Sequence, residues 1–573
     1  MPWTQAERQD MTTTATSSKL TRTIPILGWL PGYQSDWLRA DLMAGLIAAA
    51  VVTPQSMAYA SIAGLPVQVG LYVALAPMLV YVFLGSSRRL SVSSTSALSI
   101  LTGTALLTAV GPASDPTDYI LPAATLAFLV GSFLILASFL RLGLLANFIS
   151  QPVLTGFKAG IGVVIFVSQL GKVLGLTIPS GLSVLGSLKV VLTSLDQISW
   201  PTVALAAFTL AILILLPRFA ARIPAALVAV ATGIALSPMV NLGSWGISLI
   251  GNLPTGLPSF SLPDLSLLGS LWLPAMGIAL MSFTESTAAA RAFRGHGEPA
   301  VDANHELFAL GMANIAGGFF QAYPAGGGTS QTAVNANAGA KTQVAELVTV
   351  AVVVATLLFL APLISLMPEA TLGALVLVAA AGLIQTKEFR DMAQIRRTEL
   401  LWALLAFSGV IVLGILEGIL VAILISLLTL LIQVDHPPVY TLGRKPGSDV
   451  FRPSDDHPQD ETFSGLLIVR TEGRLFFANV SRVIDKILDL VHQNSPRVVL
   501  LDCDAIPDIE YTAIRSLMEF EDQLQRAGSL LWLAALNPEA LHMVRQSPLG
   551  QKLGNERMFL NLEQAVEAYL QHS

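Results

Sequence analysis

Long apolar runs occupy residues 38–63, 69–84, 92–110, 120–140, 148–170, 201–216 and 223–240, and a second set occupies 271–290, 307–320, 329–338, 344–366, 372–384, 400–415 and 416–434. About 20 apolar residues are needed to span hydrocarbon, so the shorter runs read as half-helices and tilted helices inside a bundle. Only 12% of the residues are charged, against about 25% in a soluble globular chain. The chain is therefore a polytopic α-helical membrane protein of fourteen segments, seven in each set. Seven is odd, so the second set begins on the opposite side of the bilayer from the first. If the sets share a fold, residues of about 36–240 and 270–434 form a seven-plus-seven inverted repeat.

Loop charges orient this arrangement, because Lys and Arg gather on the cytosolic side. With a cytosolic N-terminus, Arg88, Arg89, Arg141, Arg218, Arg222, Arg291, Arg294, Lys341, Lys387, Arg390, Arg396 and Arg397 fall inside, while Asp115, Asp118, Asp264 and Glu369 fall outside. Lys172 and Lys189 are the outer exceptions. Both termini are then expected in the cytoplasm, with the chain multi-pass in an inner or plasma membrane. Residues 1–35 carry no signal-peptide core and read as a flexible cytosolic lead-in.

Two passages break the apolar pattern. Residues 320–343, FQAYPAGGGTSQTAVNANAGAKTQ, combine Pro324 and Gly326, Gly327 and Gly328 with Thr329, Ser330 and Gln331. Glycine and proline interrupt a helix, while the hydroxyls suit a new helix start near Thr329. Irregular backbone at membrane depth is tolerated only inside protein or along a wet cavity. A helix start there offers free N–H groups and a positive dipole end to an anion. Residues 91–103, SVSSTSALSILTG, repeat the theme in the first half. Paired interrupted segments in corresponding halves point to a transporter's binding site.

Beyond residue 434 the composition changes. Residues 435–462 read as a charged, proline-containing linker, and 463–573 alternate short apolar strands (GLLIVRTEG, PRVVLLDCDAI, LLWLAAL) with helical patterns at 480–493, 511–526 and 538–545. That alternation makes a small α/β domain.

Several residues are candidates for chemistry. Glu285, within MGIALMSFTESTAAARAF, is a carboxylate inside an apolar segment, and such a group is by default functional. One reading makes it a proton carrier; the other pairs it with Arg291 or Arg294. Glu346 and Glu417 compete for the role but stand near segment ends, where exposure is cheaper. Gln55 and Tyr59 follow Pro54 and offer uncharged donors to a cavity, although a tyrosine in such a stripe also packs in cores. Lys158 is a second internal charge whose long stem favours snorkelling. Small residues at 311–318 and 338–340 read as close helix packing. No Walker, G-x-S-x-G or H-E-x-x-H pattern stands in a suitable context. Seven histidines and the single Cys503 give no metal-ligand spacing. These observations argue against an enzyme, an ATP-driven pump and a resident cofactor. The net charge of −6 is not gathered into one tail and gives no nucleic-acid footprint.

The strings VTPQSMAYASIAGLPVQVGLY, SSRRLSVSSTSALS, VDANHELFALGMANIAGGFF and NANAGAKTQ, in this order and followed by the α/β tail, closely resemble the SulP sulfate-permease family, which also contains prestin and pendrin. The resemblance implies a fourteen-segment transport domain divided into core and gate, a cytosolic STAS domain, a homodimer, and an elevator motion that carries an anion. It implies that the third and tenth segments are half-helices facing each other across the anion. Their counterparts here are residues 93–97 and 327–330, which makes Ser94, Thr95, Ser96, Gly327, Gly328, Thr329 and Ser330 anion contacts beside Gln55 and Tyr59. The acidic eighth-segment position used in ion coupling matches Glu285. Many members carry Arg after the tenth-segment Ser, whereas Gln331 stands here, leaving dipoles and a coupled cation to offset the anion. Proton coupling at Glu285 is therefore expected, with Na⁺ as the rival. Expected substrates are sulfate, bicarbonate or a dicarboxylate. The STAS tail resembles anti-sigma-factor antagonists whose phosphorylated Ser opens a helix. Thr512 takes that place in DCDAIPDIEYTAIRSL, with Glu510 and Tyr511 replacing the usual Asp and Ser, so a regulatory or assembly surface for a cytosolic partner is expected there.

Overall fold

The computed structural model describes residues 24–572 apart from 114, 148–149, 179–181, 221–222, 252–255 and 296–297. It divides into two compact units, Met1–Ser426 and Leu427–Ser573. Of the expected flexible lead-in, residues 1–23 lie outside the described residues. From Ile26 the chain is already helical, and Ile26 and Trp29 pack on Val82.

The helices of the first half are α1 (Ser35–Ile62), α2 (Val67–Val73), α3 (Ala76–Leu84), α4 (Ser96–Val110), α5 (Ile120–Phe139), α6 (Gln151–Leu174), α7 (Val184–Thr193), α8 (Trp200–Phe219) and α9 (Ala225–Val240). Those of the second half are α10 (Leu268–Ala292), α11 (Ala303–Phe319), α12 (Thr329–Asn337), α13 (Val344–Ala355), α14 (Glu369–Leu383), α15 (Thr386–Ile395), α16 (Arg397–Leu413) and α17 (Ile415–Asp435). Every expected segment has its helix, in order. The second segment is split into α2 and α3, and α13 runs on through a π turn at Thr356–Leu360. Among the described residues of this unit, the helical turn Ile26–Trp29, the short α7, and α15, whose apolar residues are confined to one stripe, fall outside the expected series.

Among the described residues, eight helices are long and apolar enough to cross a membrane. The two half-helices are not among them. At 1.5 Å per residue α4 is about 22 Å long and α12 about 14 Å, so only together do they match about 30 Å of hydrocarbon.

Packing sorts these helices into two groups. In one, α13 and α12 lie on α1, α11 lies on α5 and α3, and α10 lies on α5 and α4. In the other, α16 and α14 lie on α6, and α8 lies on α14 and α9. Each group draws its helices from both halves of the chain. Glycine permits the closest approaches: a Cβ on Gly156 of α6 would stand 1.9 Å from the Ala403 carbonyl oxygen of α16, and one on Gly318 of α11 would stand 2.8 Å from that of Ala124 on α5. Small residues at helix interfaces let backbones pack where lipid offers no hydrophobic drive.

The second unit is built on a six-stranded sheet. Its strands are β3 (Val439–Arg444), β4 (Phe451–Pro453), β5 (Leu466–Thr471), β6 (Val498–Asp502), β7 (Leu530–Ala534) and β8 (Met558–Phe559). β3 pairs antiparallel with β4 and with β5, while β5 to β8 run parallel. The passage read as a linker at 435–462 thus supplies two strands. Proline and charge masked them: β4, at the sheet edge, accepts both, while β3 lies between β4 and β5. Helices α18 (Val480–Asn494) and α19 (Tyr511–Arg526) bury one apolar face each.

Cys503 is fully buried in that core. Burial, together with the Asp502 carboxylate, pushes its thiol above the ordinary cysteine range. The nucleophile is the thiolate, so maleimide at about pH 7.5 is expected to leave the native chain unlabelled. Labelling should reach one equivalent only in denaturant, as read by intact-mass spectrometry. Stoichiometric labelling of the native protein would contradict the burial.

Candidate functional site

The two polar passages meet. Val92–Ser93 and Gly326–Gly327 form a two-residue antiparallel pair, β1 and β2, with Val92 opposite Gly327 and Ser93 opposite Gly326. Each strand leads at once into a half-helix, α4 from Ser96 and α12 from Thr329. Because the strands are antiparallel, the half-helices leave the crossing in opposite directions with both N-termini at it. A Cβ on Gly328 would lie 3.4 Å from Thr95 Cγ2, so the two starts adjoin.

Side chains hold the crossing in place. Ser93 Oγ donates to Gln331 Oε1 at 2.5 Å, and Gln331 Nε2 donates to the Ser94 carbonyl at 3.1 Å. Ser286 Oγ accepts from the Gly327 N–H at 2.6 Å. Ser282 Oγ donates to the Ala325 carbonyl at 2.7 Å, and Asn314 Oδ1 accepts from the Ala325 N–H at 2.8 Å. Gln331 is thus more than a neutral stand-in for arginine: it ties the strand before α4 to the first turn of α12. Such pairing satisfies irregular backbone that lipid could not.

Thr95 caps α4 by accepting from the Leu98 N–H at 3.3 Å. The N-cap of α12 is Gly328, which has no side chain to cap the helix. Thr329 and Ser330 are exposed, whereas Ser94, Thr95, Ser96, Gly327 and Gly328 are buried. The buried Tyr59 hydroxyl comes within interaction range of the Ser96 and Ser330 hydroxyls and of Glu285. Tyr323 also belongs here, its hydroxyl 3.0 Å from Ser99 Oγ and beside Ser94. The sequence reading missed Tyr323, although it sits three residues before the glycine run.

Gln55 and Tyr59 line a cavity of about 190 Å³ between α1 and helices α8, α9 and α14. The rest of its wall is apolar, formed by Ala58, Leu213, Ala225, Ala226, Leu375, Val378 and Ala379. The buried Gln55 Oε1 has no hydrogen-bond partner among the described residues. The strand and half-helix residues do not line this cavity; Tyr59 is the link between the two places.

Glu285 lies on α10 with its side chain 8% exposed, and its partner is neither Arg291 nor Arg294. Its Oε2 accepts from Thr95 Oγ1 at 3.2 Å, and its Oε1 lies 3.5 Å from Lys158 Nζ. The expectation that Lys158 snorkels is therefore corrected, since α6 aims the ammonium inward at a carboxylate. Glu346 is likewise not at an exposed end. It is fully buried and accepts from Asn335 Nδ2 at 2.9 Å. The Glu417 side chain lies outside the described residues. Glu306, unremarked in the sequence, is fully buried and accepts from Tyr81 OH at 2.9 Å and the Ser86 N–H at 3.0 Å, a structural tie between α11 and the end of α3. In the second unit, Thr512 is exposed in the first turn of α19, after Glu510, which pairs with Arg474 at 3.1 Å.

Comparison with known proteins gives this arrangement a family. The profile described as Sulfate permease family matches residues 38–406, and the STAS domain profile matches 457–565. A probable sulfate transporter of Mycobacterium tuberculosis is 38% identical over 557 residues, covering 96% of this chain and 99% of that protein. The murine Solute Carrier 26 family member A9 anion transporter, solved in the inward-facing state, superposes with a TM-score of 0.88 at 22% identity, covering 100% of this chain and 99% of that one. The transmembrane domain of a cyanobacterial bicarbonate transporter, BicA, gives a TM-score of 0.60 at 24% identity, covering 68% of this chain and 98% of that domain. At those identities the two structures speak for the fold. The chain belongs to the sulfate permease family, with a helical transporter unit followed by a STAS domain.

Proposed function

We propose that this protein is a secondary active transporter of a small anion, namely sulfate, bicarbonate or a dicarboxylate, and that a proton carried by Glu285 moves with it. The observation that carries this reading is the β1–β2 crossing, which brings two half-helix starts together with Thr95 on the Glu285 carboxylate. Each helix start contributes roughly half a positive charge, and the hydroxyls of Tyr59, Ser96 and Ser330 donate to an oxyanion. Neither feature requires a fixed cation among the anion's ligands. The grouping of helices into two sets, each drawn from both halves, supports an elevator motion of the α10-containing core against the α6-containing gate. We place the chain in the plasma membrane as a homodimer with both termini cytoplasmic, and a regulator on the Thr512 face of the STAS domain.

In proteoliposomes with an inward proton gradient, the protein is expected to accumulate labelled sulfate, bicarbonate or succinate above equilibrium. Glu285→Gln should remove the gradient-driven excess, because an amide carries no proton between the two sides. Accumulation that survives both Glu285→Gln and collapse of the gradient rejects proton symport. Dependence on a sodium gradient instead would move the coupling ion to Na⁺, and non-saturating net current would make the protein a channel.

A further inference from the structure

Lys158 stands on α6 and Glu285 on α10, in different packing groups, yet their side chains meet at 3.5 Å. The second oxygen of the same carboxylate accepts from Thr95, the cap of α4 at the crossing, at 3.2 Å. One carboxylate therefore stands between an ammonium of the gate and a half-helix start of the core. The Lys158 side chain is 20% exposed and that of Glu285 8%, so water screens the pair weakly. Sliding one group past the other has to part them.

We propose that Lys158 is an anion-binding residue that exchanges its partner, from Glu285 to the transported anion, when Glu285 takes up a proton. This deepens the proton-coupled reading above and rests on it. With Glu285 ionised, the pair is neutral and the ammonium is occupied. A proton arriving from water on Glu285 leaves the ammonium without a counter-charge at a site whose two helix starts already favour an anion. A monovalent anion restores neutrality, and a divalent one leaves a single negative charge facing the two helix starts; when the anion leaves on the other side, the proton departs to water and the ion pair re-forms. The other groups around Glu285 leave this role to Lys158. Tyr59 of α1 faces it uncharged. The neighbouring elements α4, α5, α12 and β2 carry no charged residue. On α11, His305 and Glu306 are engaged with the Leu84 carbonyl and with Tyr81 and Ser86. Arg291 of α10 lies further along its own helix and has an interaction of its own. A lysine suits the exchange because a compact ammonium on a flexible stem can change partners.

The test separates this role from simple charge balancing. Zero-gradient exchange of labelled sulfate, bicarbonate and succinate is measured in proteoliposomes for Glu285→Gln, Lys158→Met/Glu285→Gln and Lys158→Arg/Glu285→Gln, each confirmed monodisperse in detergent. The Met/Gln pair carries no unpaired buried charge, so a purely structural salt bridge predicts the half-saturating concentration of Glu285→Gln alone. Direct contact with the anion predicts a value at least about tenfold higher, the scale of losing one partner of a desolvated charge pair, with Arg at 158 recovering most of the loss. Equal half-saturation in the first two variants overturns the assignment. Gradient-driven accumulation surviving in Glu285→Gln would instead overturn the proton reading, and an unaltered protein that moves none of the three anions overturns both.

Discussion

Gly70→Ala is expected to cut anion uptake sharply and to lower the thermal midpoint of the detergent-solubilised protein, although helix propensity alone predicts the reverse. In a helix, alanine is favoured over glycine by about 1 kcal/mol. Gly70, however, lies in α2 against α1, where a Cβ would stand 1.9 Å from the Ser56 carbonyl oxygen and 2.5 Å from its carbon. Those are backbone atoms, so no rotamer change relieves the clash and α1 has to move. Overpacking of this kind costs roughly 1–3 kcal/mol, occasionally more. The penalty therefore exceeds the propensity gain, and it falls on the stretch of α1 that holds Gln55 and Tyr59. We expect uptake to fall on the order of a hundredfold, the consequence of misplacing site groups by about 1 Å. Gly382→Ala is the matched control: Gly382 is helical too, but nothing lies within 4 Å of its Cβ position. That variant should be as stable as the parent or slightly more so. Equal behaviour of the two variants would show that the α1–α2 approach is looser than described.

The features legible in the sequence are those with a local cause. Apolar runs located every long segment, because a helix in lipid must satisfy its own backbone and so depends on composition alone. The glycine run at 326–328 and the hydroxyls at 93–96 marked the two helix starts for the same reason. What stayed hidden is pairwise. That Glu285 meets Lys158 instead of Arg291 or Arg294 is a fact about how α10 lies near α6, which no spacing within either segment encodes. Gln331 reads in the sequence as a helix-start residue and as an absent charge; its two hydrogen bonds, with Ser93 Oγ and the Ser94 carbonyl, span more than two hundred residues. Strands β3 and β4 lie in a stretch with the proline and charge typical of linkers, and the pairing of β4 with β3 and of β3 with β5 supplies what their sequence does not. Tyr323 could have been found: an aromatic residue three positions before a helix-breaking glycine run at membrane depth already had to face protein or the cavity.

Asp41 shows how far such a long-range pairing can reach into stability. It was absorbed in the sequence into an apolar run, yet it is fully buried on α1. Its Oδ1 accepts from the Lys341 N–H at 2.6 Å and the Thr342 N–H at 3.1 Å, and its Oδ2 accepts from Thr342 Oγ1 at 2.6 Å and Tyr33 OH at 3.1 Å. One carboxylate thus fastens the turn between α12 and α13 to the start of α1, and thereby fixes where the second half-helix ends. Asp41→Ala would strand two N–H groups and two hydroxyls, at about 1–3 kcal/mol for each group left buried and unsatisfied. We expect a total loss of roughly 3–5 kcal/mol, less than the simple sum because the turn can relax toward water. Asp41→Asn should lie between the parent and Asp41→Ala, since the amide keeps one acceptor oxygen and turns a donor toward groups that also donate. Thermal unfolding followed by size-exclusion of the detergent-solubilised protein would rank the three. An alanine variant that unfolds with the parent would show that the turn holds its place without the carboxylate, and that α12 is anchored through the crossing alone.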